Sequence, residues 1–381
     1  MNAQDQQNRP DAALAAAIAI WRGALARRVE KDEDNPFRPV ILHPYDAEKT
    51  IDSHNPPLDY DPTGPAQPDD DVCKKVGRAL EGYRQKHGGD PPLVNFIDHG
   101  MMQVVEPCMD PQTPPLENKI ALVTGAAGAI GQGICLGLLE KGCRVAVSDL
   151  AGPALDRVTD RFAADFPGRA VGIAIDVTRA DSVADGFARL CLHWGGVDIV
   201  VVNAGIAHVS MLTELKLEDF ARLEKVNVEG TLLTLAESGR LMRRQATGGD
   251  VIFVSSKNVF APGAGFGAYS ATKAASHQLA RIASLELAPD GIRVNMVAPD
   301  AVFSGGDTRS GLWATVGPDR MKARGLDEKG LEEYYRGRNL LKARVTARHV
   351  ANAVLFFATH QTPTTGATIP VDGGLPDATP R

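Results

Sequence analysis

Cysteine is scarce in this 381-residue chain: five residues, at positions 73, 108, 135, 143 and 191, odd in number and without a Cys-x-x-Cys pair. That pattern excludes a disulfide framework and a zinc ribbon, and it fits a reducing, cytoplasmic setting. A basic surplus is also missing. Forty-one Lys and Arg stand against 47 Asp and Glu, for a formal charge of −6, so nothing pulls the chain onto nucleic acid or anionic lipid. No apolar run approaches the roughly 20 residues that span a bilayer. The alanine-rich stretch 12–21 follows Asp11 with only Arg9 before it, unlike a secretory leader. The expectation is a soluble protein with neither a nucleic-acid nor a membrane partner. What is present is 44% hydrophobic content, enough for a sizeable core, and a length that suggests two or three domain-sized pieces.

Proline divides the chain. Fifteen of the 25 prolines lie in residues 1–118, eight of them between Pro36 and Pro68, where helices and strands of ordinary length would lose hydrogen bonds. This N-terminal extension carries two helix candidates, 11–30 and 70–87, and an apolar patch at 93–97. It reads as a proline-rich extended arm laid over another surface and contributing subunit contact. From 119 to 381 the texture changes to short Val, Ile and Leu-rich runs alternating with segments of helical length. Strands are predicted at 120–123, 144–148, 170–175, 198–202, 251–254, 293–297 and 368–371. Helices are predicted at 131–141, 152–165, 181–193, 218–245, 268–287 and 346–359. Near-continuous apolar strands with helical crossovers make this region α/β, a doubly wound, seven-stranded parallel sheet.

The first strand runs into Thr124-Gly125-Ala126-Ala127-Gly128-Ala129-Ile130-Gly131, with a helix opening at the last glycine. Glycines there let the backbone approach a pyrophosphate, whose charge the amides of a helix N-terminus would hold. Asp149 ends the second strand 18 residues after Gly131, placed to accept hydrogen bonds from ribose hydroxyls and to repel a 2′-phosphate, which favours NAD over NADP. Asp176 ends the third strand, where it could reach an adenine edge or cap the next helix. Thirteen residues beyond Ser256 stands Tyr269, and Lys273 lies one helical turn further on the same face. An ammonium beside a phenol favours phenolate, so the Tyr269 pKa is expected to fall toward the working pH, as acid-base catalysis requires. Taken alone, Tyr-x-x-x-Lys is an ordinary exposed helix pair; its neighbours give it meaning.

Together these residues resemble a short-chain dehydrogenase/reductase over residues 119–381. The carriers are 124–131, Asn203-Ala204-Gly205, Asn227 between two valines, Ser256, Tyr269, Lys273, Pro299 and Val371-Asp372-Gly373-Gly374. The resemblance implies a Rossmann fold and a hydride transfer between a secondary alcohol and a ketone. It implies that Tyr269 exchanges a proton with the substrate oxygen and that Ser256 hydrogen-bonds that oxygen. Lys273 would lower the tyrosine pKa and grip the nicotinamide ribose, and Asn227 would hold a relay water. Gly125, Gly128, Ala129, Ile130, Gly131, Asp149, Asp176, Val177, Asn203, Ala204, Gly205, Tyr269, Lys273, Pro299 and Ser304 would bind the cofactor. Family members are commonly homodimers or homotetramers, packed through the helices that hold Asn227 and Tyr269. Two departures stand out: the middle glycine is Gly128, one place earlier than the short branch of the family has it, and Asp300 follows Pro299 where a glycine is usual.

Residues just beyond strands four to six should line the substrate pocket. They include His208, Lys257, Asn258 and Asp300, polar where a steroid or fatty-acyl reductase would present apolar groups, which points to a polyol or sugar; solvated loop side chains are the plain alternative. Segment 302–345, expected as the lid, carries nine Lys and Arg against six acidic residues, as a site for a phosphate or carboxylate would, or as a charged helical surface does. Residues 256–263 and 338–342 resemble more narrowly the dehydrogenase part of bifunctional aldolase/short-chain dehydrogenases and the sorbitol-6-phosphate 2-dehydrogenases. The extension is too short for a complete aldolase, and its His43, His54 and His99 are scattered, so no metal is expected. The competing expectations are a 3-oxoacyl or other apolar-ketone reductase and a non-catalytic NAD-sensing scaffold.

Overall fold

The computed structural model describes residues 10–28, 37–38, 40–45, 56–62, 69–105, 112–303, 317–318, 320–322 and 324–377. Helix α1 (Ala12–Leu25) starts where the Asp11 carboxylate accepts from the Ala13 and Leu14 amides at 2.9 and 3.0 Å, satisfying donors that lack an intrahelical partner. It stops at Leu25, short of position 30, because Ala26 turns extended and β1 (Arg27–Arg28) pairs antiparallel with β2 (Phe37–Arg38). Among the described residues of the extension, strands replace the expected arm. They are β3 (Ile41–Pro44), β4 (Leu58–Tyr60), β5 (Leu93–Phe96) and β6 (Gly100–Val105), with α2 (Asp69–His87) between β4 and β5. The spatial order is β3-β6-β5-β4, with β4 and β5 parallel and the other pairs antiparallel. Proline does not forbid this sheet, because Pro44 closes an edge strand and Pro56, Pro57, Pro91 and Pro92 precede strands, where no interior ladder donor is lost. Trp21, Tyr60 and Phe96 meet edge to face at 5.3 and 5.8 Å, with Leu42, Val76, Leu80 and Val94 buried around them. Residues 46–55, with His54, and the stretch 63–68, with Pro65 and Pro68, lie outside the described residues.

The seven strands expected after Lys119 form one parallel sheet. They are β7 (Ile120–Val123), β8 (Arg144–Asp149), β9 (Ala170–Ala174), β10 (Ile199–Val202), β11 (Gly249–Val254), β12 (Ile292–Pro299) and β13 (Thr368–Val371), in the order β13-β12-β11-β10-β7-β8-β9. Central β7 and β10 are wholly buried, while the edge strands β9 and β13 are partly exposed. Their sequences follow the same trend: Ile-Ala-Leu-Val and Ile-Val-Val-Val in the middle, and Ala-Val-Gly-Ile-Ala and Thr-Ile-Pro-Val, with smaller residues, a proline and a threonine, at the edges. Helices α3 (Ala129–Glu140), α4 (Pro153–Asp165), α5 (Ala180–Trp194), α6 (Leu217–Leu223), α7 (Gly230–Gln245), α8 (Gly267–Glu286), α9 (Glu328–Arg338) and α10 (Ala347–Ala358) follow in chain order. Of these, α3, α4 and α10 build the core on one face, and α5, α7 and α8 the core on the other. Among the described residues no helix is long and apolar enough to cross a membrane.

The helix expected at 218–245 is continuous but irregular. Between α6 and α7, Glu224–Glu229 forms a π turn. The cause is side-chain competition for the backbone: the Asn227 carbonyl accepts from the hydroxyls of Thr231 and Ser276, both at 2.6 Å, and the ladder widens by one residue to accommodate them.

Helix α1 is fastened to the back of the large sheet. The Arg22 guanidinium, 1% exposed, donates to Asp198 at 2.6 Å through Nη2 and to the Val40 carbonyl at 2.8 Å through Nε. The same Asp198 oxygen accepts from the Ile120 amide at 2.7 Å, so one buried ion pair joins α1, the approach to β3, β7 and the start of β10. Ala15, Ala19 and Ile41 extend the core under α5 and α7. At Gly23 a Cβ would lie 1.8 Å from the Gln245 carbonyl oxygen, so helix α1 and the end of α7 touch backbone to backbone. Removing one partner of a buried pair strands the other. Arg22→Met should therefore lower the stability measured by denaturant unfolding by about 3 kcal/mol or more, with part regained in Arg22→Met/Asp198→Asn. An unchanged midpoint in the single variant would show that the Arg22–Asp198 pair adds nothing to the stability of the fold.

Candidate active site

The turn from β7 into α3 is shaped by two glycines that no other residue could replace. Gly125 has φ +63°, and a Cβ there would lie 2.8 Å from the Ala204 Cα. At Gly131 a Cβ would fall 2.5 Å from the Gly125 carbonyl oxygen. Gly128 is different: its nearest neighbour would be that same oxygen, at 3.4 Å, an ordinary contact. The shifted middle glycine therefore leaves the loop geometry intact and keeps the N-terminus of α3 open, with no side chain capping its first amides. Asn203 staples the loop, its Nδ2 donating to the carbonyls of Thr124 and Gly125 at 2.8 and 3.0 Å. The amides of Asn203 and Ala204 both donate to the Thr124 hydroxyl.

Asp149 accepts from the Ala127 amide at 2.9 Å and from the Leu150 amide at 2.8 Å, which pins the glycine loop while the carboxylate borders the cavity. Asp176 accepts from the amide and hydroxyl of Thr178 at 3.0 and 2.7 Å, so a turn-capping role is realised, again at the cavity wall. These residues line one cavity of about 1610 Å³, shared with Ala129, Ile130, Val177, Gly205 and Pro299. Ser304 lies outside the described residues. Open first-turn amides, glycines where side chains would clash and a carboxylate at the tip of β8 fit a dinucleotide.

At the other end of the cavity, Ser256 stands near enough to the Tyr269 phenol to lower its pKa, and its Oγ accepts from the Asn258 amide at 3.2 Å. Lys273 donates to the Val254 carbonyl at 2.9 Å and lies 5.0 Å over the Phe253 ring. The expected fall in the Tyr269 pKa is not found. Burial pushes the phenol above its ordinary value, Ser256 opposes that and the Asp300 charge adds to it. The ammonium meant to stabilise phenolate is engaged with a carbonyl instead, and burial brings Lys273 down to about 8. The chain's own groups therefore hold Tyr269 as a neutral phenol, a proton donor. Asn227 does not line the cavity. Its side chain binds the Ile206 amide and carbonyl, each at 2.9 Å, and the Thr272 hydroxyl at 3.0 Å, fixing the loop after β10 against α8.

Of the expected substrate residues, Lys257, Asn258, Asp300 and His208 all line the cavity. Lys257 Nζ donates to the Ala261 carbonyl at 3.0 Å, Asp300 lies 3.8 Å from Arg338, and His208 Nε2 lies 3.7 Å from Asp219. Sequence reasoning named the cations of segment 302–345 without ranking them. The structure turns Arg320, Arg324 and Arg338 to the cavity, while Lys322, Lys329, Arg336, Lys342 and Arg344 are not among its lining residues. The buried Ser255–His277 hydrogen bond, 2.9 Å, was missed outright; no local pattern pairs residues 22 positions apart. Among the described residues no group of three or more His, Cys, Asp or Glu could hold a metal ion. Cys73, Cys135, Cys143 and Cys191 are free thiols, and Cys108 lies outside the described residues.

Lys273 titrates near 8 when folded against about 10.4 when unfolded. Between those values the unfolded chain binds more protons, so stability rises with pH across that window. Below 8 the buried charge costs on the order of 3 kcal/mol. Lys273→Met should therefore abolish activity yet raise the melting temperature at pH 7, by an increment that shrinks toward pH 10. An increment independent of pH would remove charge burial as its origin.

A family profile described as short chain dehydrogenase matches residues 119–312. An uncharacterised oxidoreductase of Bacillus subtilis, YuxG, is 35% identical over 75% of this chain, which spans 41% of that longer protein. The Escherichia coli sorbitol-6-phosphate 2-dehydrogenase is 30% identical over 68% of this chain and 98% of its own length. The crystal structure of the Erwinia amylovora sorbitol-6-phosphate 2-dehydrogenase superposes with a TM-score of 0.61 at 30% identity, over 67% of this chain and 98% of that one. With the parallel sheet, the glycine turn and the Ser256–Tyr269–Lys273 set already in place, these matches make the chain a member of the short-chain dehydrogenase/reductase family.

Proposed function

We propose that this chain is an NAD-dependent dehydrogenase that interconverts a secondary alcohol and a ketone on a polyol, sugar or sugar-alcohol phosphate, working in the cytoplasm as a homodimer or homotetramer. The observation that carries the reading is one continuous cavity lined by the glycine turn and Asp149, by Ser256, Tyr269 and Lys273, and by Lys257, Asn258 and Asp300. The bound nicotinamide would supply or accept the hydride. In the reducing direction the neutral Tyr269 phenol gives its proton to the carbonyl oxygen, and Ser256 steadies that oxygen by a hydrogen bond. In the oxidising direction the same phenol, once ionised, takes the alcohol proton. Lys273, held against Val254, keeps a positive charge behind the tyrosine, and Asn227 fixes the loop that faces it.

Asp149 supports NAD, because its carboxylate would meet a 2′-phosphate with like charge. Polar walls support a hydroxylated substrate and speak against an apolar ketone. An intact proton-transfer set speaks against a scaffold that merely senses the cofactor. Leu232 on α7 and Ile282 and Leu285 on α8 are exposed, which supports self-association through those helices. Cytoplasmic placement is supported by the free thiols, Cys191 being pushed up to about 12 by burial.

Purified protein offered NAD or NADP with free polyols, polyol phosphates and apolar secondary alcohols should turn over a hydroxylated substrate with NAD, and Tyr269→Phe should lose at least 100-fold in kcat. Asp149→Ser should lower kcat/KM for NAD about tenfold and raise it for NADP. Preference of the wild type for NADP or for apolar alcohols would overturn the corresponding part of the reading.

A further inference from the structure

Beyond Tyr269 the cavity runs past an aromatic ring to a buried cation. The Phe266 ring centroid is 6.0 Å from that of Tyr269, and the Arg320 guanidinium carbon lies 3.9 Å from the Phe266 centroid. Arg320 is 7% exposed, its Nε has no hydrogen-bond partner, and among the described residues it makes no ion pair. The Nε of a guanidinium so placed has given up water without receiving an acceptor. Its surroundings add to the imbalance. Arg338 lies 5.0 Å from the Tyr335 ring and 3.8 Å from Asp300, and Arg324 lies 4.7 Å from the Tyr334 ring. Lys257 donates to one backbone carbonyl. Among the described residues at this end of the cavity four cations, Arg320, Arg324, Arg338 and Lys257, face two carboxylates, Asp300 and Asp377.

That excess distinguishes between anions. A carboxylate is matched by a single guanidinium fork, whereas a phosphate monoester carries a charge of about −1.5 to −2 and three acceptor oxygens. We infer that this end of the cavity is a phosphate subsite, with Arg320 and Arg338 holding the phosphate of an acyclic polyol phosphate or keto-sugar phosphate whose reacting carbon lies at Tyr269. The inference rests on the dehydrogenase reading above and selects one substrate class within it. Mutual repulsion fits it: burial first, then Arg324 and Arg338, lower the Arg320 pKa, and Arg338 and Arg320 add to the lowering that burial imposes on Lys257. Asp300 and Asn258, between the phosphate end and Ser256, are left to receive the intervening hydroxyls. Arg338 is held in place from behind, since Asn339 binds the Ala343 amide and carbonyl and the Leu340 and Leu341 amides donate to Gly374 and Gly373.

The test compares a hexitol phosphate, the free hexitol and a six-carbon aldonate as substrates for wild type, Arg320→Met, Arg338→Met and Lys322→Met, the last an exposed charge that does not line the cavity. In Arg320→Met and Arg338→Met the ratio of kcat/KM for the phosphate ester to that for the free hexitol should fall about 100-fold, mostly through KM. Lys322→Met should leave the ratio as in wild type. Inorganic phosphate should compete with the ester and raise the melting temperature of wild type but not of Arg320→Met, whose NADH affinity, measured by fluorescence titration, checks that the variant is folded. An unchanged ratio in both arginine variants, or wild-type preference for the aldonate or the free hexitol over the ester, overturns the phosphate subsite. If no hexitol derivative is turned over, the dehydrogenase reading fails on its own, while phosphate protection absent in Arg320→Met would still support an anion site there.

Discussion

All seven strands of the large sheet point the same way, and the rest of the structure depends on that constraint. A parallel neighbour can be reached only through a crossover, so every strand delivers its C-terminal residue to one edge of the sheet. The glycine turn after β7, Asp149 after β8, Asp176 after β9, Asn203 after β10, Ser256 after β11 and Pro299 at the end of β12 are thereby collected along one crevice. None of these residues need be near another in sequence. Where the strand order reverses, between β7 and β10, the Thr124–Asn203 hydrogen bonds close the gap that the two halves would otherwise leave, and the cavity opens above them.

Along that edge the chain accepts local cost for chemistry. Lys273 is a buried cation whose pKa burial brings to about 8, and Arg320 is a buried cation without an acceptor for its Nε. The π turn at Glu224–Glu229 gives up regular helix so that Asn227 can grip Ile206. A fold selected for stability alone would place none of these groups there. They are supported elsewhere, by apolar cores on both faces of the sheet and by the contact between the end of α9 and the turn after β13, where Gly373 lies against Asn339.

The N-terminal region shows a different economy. Its small sheet buries Trp21, Tyr60 and Phe96, and it is joined to the larger body through the buried Arg22–Asp198 ion pair, the apolar contacts of Ala15, Ala19 and Ile41 and a helix contact close enough to demand Gly23. Proline richness signalled a departure from ordinary packing; it did not reveal four strands, because prolines at strand ends and on edge strands remove no ladder bond. Nor could the sequence show that Arg22 and Asp198, 176 positions apart, would share one oxygen with Ile120.

By itself the sequence determined the strands of the large sheet, the glycine turn and the Tyr269–Lys273 pairing on one helix face, since each of these is written in a local pattern: continuous apolar runs, glycines at fixed offsets, Tyr and Lys one turn apart. Tertiary structure alone decided which cations of the 302–345 segment face the cavity, that Asn227 supports the site from behind its wall, that burial, with Asp300 adding to it, keeps Tyr269 neutral, and that Lys273 is turned toward the Val254 carbonyl. The physical reason is range. Periodicity and turn chemistry act over a few residues, whereas burial, charge balance and hydrogen-bond choice are set by whichever groups the fold brings together.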